Sequence, residues 1–139
     1  MNILLHGINI STQFQTCIHQ LIQAFEEKGS NVKLTKNLFN SFRKKGNLSP
    51  IVTPLNAKND LSAIDVVISI GGDGTLLDTI SLIGAYEIPV LGINTGRMGF
   101  LATIAKEDII AAVKDLLERV YYPQERHLFD DYGTYLYRW

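Results

Sequence analysis

A short apolar segment followed by a cluster of glycines constrains the fold of this chain more than any other feature. Residues 65–70 are Asp-Val-Val-Ile-Ser-Ile, and three of the next four residues, 71–74, are glycines. The β-branched run predicts a strand that is buried on both faces, as in a parallel sheet. Apolar residues then recur at helical spacing, at Leu76, Leu77, Ile80 and Ile83. The segment therefore predicts a buried strand, a glycine turn and a helix.

The glycine turn is typical of a phosphate-binding site. The first N–H groups of a helix have no partner within the helix and carry the positive end of its dipole. Asp73 does not fit a simple phosphate cradle, because its carboxylate would repel the anion. Either it binds a metal that the phosphates share, or it accepts a proton from an attacking hydroxyl, and both roles indicate phosphoryl transfer. A third interpretation is an aspartate that only favours the turn.

Two common nucleotide-binding motifs are absent from this segment. A dinucleotide fingerprint that starts at Gly72 would need a glycine where Leu77 stands. A Walker loop would need a Gly-Lys-Ser or Gly-Lys-Thr sequence, which does not occur in the chain.

Two motifs together resemble those of the NAD kinases. The first is Gly71-Gly72-Asp73-Gly74-Thr75, an element also shared with 6-phosphofructokinases and with diacylglycerol and sphingosine kinases. The second, residues 92–101, is the more specific Gly-Ile-Asn-Thr-Gly-Arg-Met-Gly-Phe-Leu. The resemblance implies transfer of a phosphoryl group from ATP or polyphosphate to the 2′-hydroxyl of the adenosine ribose of NAD, giving NADP. It also implies a divalent metal, usually magnesium, that accompanies the donor.

The same resemblance implies roles for individual residues. Asp73 would accept the proton of the ribose hydroxyl. The implied binding residues are Gly71, Gly72, Asp73, Gly74, Thr75, Asn94, Thr95, Gly96 and Phe100. No residue is implied as a metal ligand. Asp78 stands where some family members carry a basic residue, so we expect no phosphate contact from that position.

Composition and charge favour an ordinary globular protein. Of the 139 residues, 46% are hydrophobic and 19% are charged, with a net charge of −1. We therefore expect no nucleic-acid partner and no membrane surface. The single Cys17 excludes an internal disulfide, and the N-terminus lacks the pattern of a signal peptide. These features predict a cytoplasmic protein.

The rest of the chain alternates strand and helix patterns, which predicts an α/β fold with a parallel sheet flanked by helices. Strands are predicted at residues 3–5, 31–36 (near an edge) and 88–93, and a helix is predicted at 106–120. Another helix presents an apolar stripe of Phe14, Cys17, Ile18, Leu21, Ile22 and Phe25, begins at Ser11 or Thr12 and ends at Gly29. The pattern is weak from residue 37 to 60, where a short helix around Leu38, Phe39 and Phe42 and a short extended piece at residues 51–52 are indicated.

The chain is predicted to comprise an α/β nucleotide-binding domain at 1–121 and a tail at 122–139. Five of the last nineteen residues are tyrosines, and 130–133 has the composition of a hairpin turn. In the NAD kinases this region opens a second, all-β domain, of which this chain has little. We therefore expect a chain of low activity on its own, and a homo-oligomer. Two alternatives are a non-catalytic nucleotide-binding or regulatory module and a kinase of the lipid or sugar branch.

Overall fold

Five parallel strands form the central sheet of the computed structural model, which describes residues 1–8, 10–44, 46, 48–96, 99–130 and 133–138. Their order in the sheet is β3-β2-β1-β4-β5. The strands are β1 (Asn2–Gly7), β2 (Asn31–Leu34), β3 (Thr53–Pro54), β4 (Val66–Gly71) and β5 (Val90–Asn94). All four pairings are parallel, so the carboxyl ends of the strands lie at one edge of the sheet.

Helices connect the strands and cover both faces of the sheet. They are α1 (Thr12–Glu27), α2 (Lys36–Arg43), α3 (Asp73–Ile83) and α4 (Ile109–Leu117), with short 3-10 helices at Lys58–Ala63 and Lys106–Asp108. Ser11 is the N-cap of α1, and its Oγ accepts a hydrogen bond from the N–H of Phe14. Gly29 follows the helix with a φ of +68°, a conformation that favours glycine.

The sheet separates two hydrophobic cores. Ile3 and Leu5 of β1 pack with the apolar faces of α1, α2 and α4, whereas Leu4 packs with α3 on the opposite side. All six residues of β4 are buried, as expected for a strand covered on both faces. The predicted α/β class with a parallel, helix-flanked sheet is therefore confirmed.

Some elements differ from the sequence prediction. The edge position next to β2 is taken by β3, a strand of two residues, in the region where the pattern was weak. The predicted helix at 106–120 begins with a 3-10 turn, and its α-helical part ends at Leu117. Cys17 packs against the core as predicted, and burial raises the pKa of its thiol. The ring of His19 on α1 lies edge-on to that of Phe42, with 5.1 Å between the ring centroids.

The strand order places a crevice at the carboxyl edge. From β1 the chain moves to β2 and β3 on one side, and it then crosses to β4 on the other side. Ligands of open α/β sheets bind at such a reversal, outside the carboxyl ends of the strands. The glycine turn after β4 and the polar loop after β5 both start at this edge.

A separate two-stranded antiparallel sheet follows the α/β unit. It consists of β6 (Glu125–Asp130) and β7 (Gly133–Arg138). The pairing agrees with the predicted hairpin, while Asp131, Tyr132 and Trp139 lie outside the described residues. The boundary between a domain at 1–121 and a tail at 122–139 stays a prediction. In the described part of the chain, no helix has the length and apolar character needed to cross a membrane.

Candidate functional site

The two sequence motifs lie side by side at the carboxyl edge of the sheet. Gly71 pairs with Asn94 in the register of β4 and β5. The N–H of Thr95 donates a hydrogen bond of 3.1 Å to the carbonyl of Gly71. Strand pairing and a hydrogen bond therefore join the two loops at their first residues. Arg97 and Met98 of the second motif lie outside the described residues.

The glycine turn leaves the start of α3 open to solvent. Gly72 is the N-cap and provides no side-chain cap, so the first N–H groups of the helix are available to an anion. Gly72 and Gly74 are exposed, and no atom lies within 4 Å of where a Cβ would stand on either. An anion can therefore approach this turn closely.

At position 71, packing requires glycine. A Cβ at this position would lie 2.5 Å from the Cβ of Thr75 and 3.0 Å from its Cγ2. The side chain of Thr75 thus occupies the space beside the strand end. The sequence prediction treated the three glycines alike, but the structure separates one packing glycine from two that keep the turn open.

The carboxylate of Asp73 is bound to the backbone at the end of the second motif. Its Oδ2 accepts a hydrogen bond of 2.9 Å from the N–H of Phe100. Its Oδ1 accepts hydrogen bonds of 3.0 Å from Leu101 and 3.1 Å from Ala102. We call these three N–H groups the amide clamp. It joins the first residue of α3 to the loop after β5.

The amide clamp sets the charge state of Asp73. Hydrogen bonds from Ala102, Phe100 and Leu101 lower the pKa of the carboxyl below its ordinary value, and burial opposes them weakly. The carboxylate is therefore ionised at neutral pH. It can accept a hydrogen bond from a hydroxyl group, and it holds a transferred proton only weakly.

Asn94 organises the second loop from a buried position. Its Nδ2 donates to the carbonyl of Ala102 at 3.3 Å, and its Oδ1 accepts a hydrogen bond of 2.8 Å from Gly96. Its backbone N–H donates to Ile104, whose own N–H donates to Gly92. The chain after this loop thus lies alongside β5, where Ile104 forms a parallel bridge with Ile93, and presents the amide clamp to Asp73.

The remaining predicted binding residues differ in exposure. The side chain of Phe100 is 94% exposed, so it is an aromatic surface at the rim and not part of the core. Thr95 and Gly96 are also exposed. With Asn94 they line a cavity of about 260 Å³ that also includes the start of α1 and residues 105–107, but not the glycine turn.

A second cavity lies beside the end of β1. It has a volume of about 620 Å³ and is lined by Gly7, Ile8, Ile10, Ser11, Thr12, Gln15, Asn37, Leu38 and Ser41. His6 is half-buried near this edge, where its Nδ1 lies 3.2 Å from the Oγ1 of Thr35. Burial lowers the pKa of the imidazole, and the charge of Asp78 opposes this effect.

The described residues do not form a metal centre of their own. Among the described residues, no three His, Cys, Asp or Glu side chains lie together as metal ligands. The carboxylate of Asp73 is already engaged by the amide clamp. This arrangement does not fit a resident divalent metal held by the protein alone.

Sequence reasoning missed Gly99 and the backbone of residues 100–102. Gly99 lies within the second motif but is not among the binding residues that the resemblance implies. No pattern in a single sequence indicates that its missing side chain makes room for a carboxylate that lies far away along the chain.

The parallel sheet, the open helix start and the adjacent polar loop define an α/β domain of the nucleotide-binding class. Comparisons with known proteins name the family. The profile of the ATP-NAD kinase N-terminal domain matches residues 14–121. This chain therefore belongs to the ATP-NAD kinase family.

Two curated relatives illustrate the match. An NAD kinase from Cytophaga hutchinsonii is 46% identical over 81 residues, which are 58% of this chain and 28% of the relative. An NAD kinase from Christiangramia forsetii is 35% identical over 103 residues, which are 73% of this chain and 35% of the relative. The matched segment thus spans about a third of the length of these relatives.

Two solved structures share the fold. Yeast NADH kinase in complex with NADH superposes with a TM-score of 0.77 at 16% identity, over 99% of this chain and 46% of that protein. An NAD kinase from Archaeoglobus fulgidus in complex with ATP gives a TM-score of 0.59 at 19% identity, over 96% of this chain and 45% of that protein. At these identities the likeness concerns the fold.

Proposed function

We propose that this chain provides the catalytic residues of an NAD kinase, which transfers a phosphoryl group from ATP to the 2′-hydroxyl of the adenosine ribose of NAD. The observation that carries the proposal is the position of Asp73. Its ionised carboxylate is fixed at the first residue of α3, beside helix N–H groups that suit the phosphates. An acceptor for a hydroxyl and a site for an anion are thus adjacent.

The low pKa of Asp73 fits this reaction. In phosphoryl transfer the transition state is loose, and catalysis depends mainly on positioning and on charge stabilisation. The carboxylate therefore has to orient the hydroxyl and receive its proton, and it does not have to be a strong base. A weakly held proton then leaves easily to water.

Asn94 and Phe100 are proposed to line the NAD side of the site, with Thr95 and Gly96 beside them. Gly71, Gly72, Gly74 and Thr75 are proposed to shape the phosphate side. The divalent cation is proposed to arrive with the donor, bound by the phosphates, since the described residues offer no ligand cluster of their own. Bound there, it would neutralise charge on the phosphates. Polyphosphate is a second possible donor, because the open turn recognises phosphate and not a base.

A chimaera tests the proposal. Residues 1–121 of this chain would replace the matching N-terminal part of the Christiangramia forsetii NAD kinase, which supplies the remainder of the enzyme. The purified chimaera, shown to unfold cooperatively, is given NAD, ATP and Mg²⁺, and NADP is measured with an NADP-specific dehydrogenase. We expect NADP to form, and the same assay with polyphosphate would compare the two donors.

The alternative is a non-catalytic nucleotide-binding or regulatory module with the same fold. A folded chimaera that binds NAD or ATP but forms no NADP would contradict the proposed activity and favour this alternative. We expect the 139-residue chain by itself to form little NADP, because the match spans only about a third of the relatives.

A further inference from the structure

We propose that Gly99 is a positioning residue for Asp73, and that the amide clamp leaves a single free acceptor position, on Oδ2, for the reacting hydroxyl. The identity of that hydroxyl rests on the proposed function. The clamp itself does not, because it is a contact between two parts of this chain.

Gly99 is needed for space and not for backbone conformation. Gly99 is not among the glycines with a positive φ, which in the described part of the chain are Gly29, Gly46 and Gly84. A Cβ at position 99 would lie 2.5 Å from the Cγ of Asp73 and 2.6 Å from its Oδ2, and closer still to its Oδ1. Real Cβ contacts are not this short, so any side chain here would displace the carboxylate.

The displacement would break the amide clamp. The three N–H groups follow Gly99 directly and bind the same carboxylate at 2.9, 3.0 and 3.1 Å. Hydrogen bonds to an ionised group are stronger than neutral ones and fix its orientation. Glycine at position 99 and the carboxylate at position 73 therefore form one unit, although each belongs to a different motif.

Counting acceptor positions identifies the reactive oxygen. A carboxylate oxygen accepts about two hydrogen bonds. Oδ1 already receives two, from Leu101 and Ala102, whereas Oδ2 receives one, from Phe100. Oδ2 is thus the atom with room for a substrate hydroxyl. Because the N–H on Oδ2 belongs to Phe100, the clamp also holds the backbone of this exposed aromatic residue beside this oxygen.

Hydrogen exchange on the 139-residue chain tests the clamp without substrate or activity. Phe100 is almost fully exposed, so its N–H would exchange rapidly if it were unbound. We expect the N–H groups of Phe100, Leu101 and Ala102 to exchange at least about tenfold more slowly than N–H groups without a hydrogen bond. A factor of about ten corresponds to the free energy of one charge-assisted hydrogen bond. Rapid exchange at all three in the wild-type chain would overturn the proposal.

Gly99→Ala should remove this protection from exchange and raise the pKa of Asp73 toward the ordinary value of 3.8. The pKa can be measured by NMR from the signal of the carboxyl carbon. Gly96→Ala is the matched control, because no atom lies within 4 Å of a Cβ at that position in the same loop. The control should leave the exchange and the pKa unchanged. An unchanged clamp in Gly99→Ala would overturn the proposal.

Kinetics of the chimaera separate positioning from a merely structural role. Gly99→Ala should lower kcat by about 10²-fold, as small misplacements of reacting groups do. The KM for ATP should change little, and the acid limb of the kcat profile should move to higher pH with the pKa of Asp73. A wild-type kcat in a variant with a broken clamp would overturn the positioning role while the proposed function stands. A wild-type chimaera without activity would contradict the proposed function and leave the exchange result intact.

Discussion

The side chain of Asp73 depends on residues that are remote in sequence. Its three hydrogen-bond donors lie 27, 28 and 29 residues further along the chain. The glycine turn and the resemblance to a kinase family could identify Asp73 from the sequence. The amide clamp could not be predicted, because it needs the chain around Ile104 to lie beside β5 and it needs the empty space at Gly99.

The buried imidazole of His6 should make the stability of the fold depend on pH. Burial lowers the pKa of its imidazole below 6.5, so the unfolded chain binds a proton more readily than the folded one. The contribution of neutral His6 to stability is therefore complete above the unfolded pKa. It is lost as the pH falls from about 6.5 toward the folded pKa.

His6→Asn, which keeps a hydrogen-bonding atom for Thr35, should remove this dependence. The measurement is the free energy of unfolding in urea between pH 7.5 and pH 5. Wild type should lose stability relative to the variant as the pH falls. A difference between the two that stays constant with pH would show that His6 titrates alike in both states.

Elements with a strong periodic pattern were predicted well from the sequence. The strand before the glycine turn was recovered because it is a continuous apolar run, and the stripe of α1 because its buried residues recur with period 3.6. The elements that were missed or only indicated are short. β3 has two residues, and α2 buries Leu38 and Phe42 within eight residues. Such elements depend on their neighbours, so a local pattern cannot define them.

The backbone conformation of Gly84, at the end of α3, predicts that a side chain there would lower stability. Gly84 closes the helix with φ +55° and ψ −123°, a conformation that side chains strongly disfavour. Gly84→Ala should lower the free energy of unfolding by about 1–3 kcal/mol, although a Cβ would meet no atom within 4 Å.

The comparison for Gly84→Ala is Gly96→Ala, where the backbone is not in the positive-φ region and a Cβ also has open space. Urea unfolding of both variants separates backbone strain from crowding. Equal stability of the two variants would argue against a strained conformation at Gly84.

At the scale of the whole molecule, the two motifs and two cavities of the α/β unit lie at one edge of the sheet. The hairpin that follows forms a separate two-stranded sheet. A two-stranded sheet is marginal by itself, and each strand has one edge without a partner in the described chain. Tyr122, just before the hairpin, is 95% exposed. Surfaces of this kind seek partners.

We therefore predict that the chain self-associates through residues 122–139. Light scattering should give a mass above the 15.5 kDa of one chain, and a chain that ends at residue 121 should return to a single-chain mass. A monomer at all concentrations with the tail present would contradict this prediction.

Asp73 is proposed to accept the proton of the ribose hydroxyl during phosphoryl transfer. The most direct measurement is the rate of NADP formation by the chimaera with Asp73→Asn, compared with Asp78→Asn, an exposed carboxylate on the same helix. Asp73→Asn should lower kcat by about 10²–10⁴-fold, because an amide cannot accept the proton and loses part of the amide clamp. Asp78→Asn should have a far smaller effect. A wild-type rate in Asp73→Asn would contradict the role of Asp73 as proton acceptor.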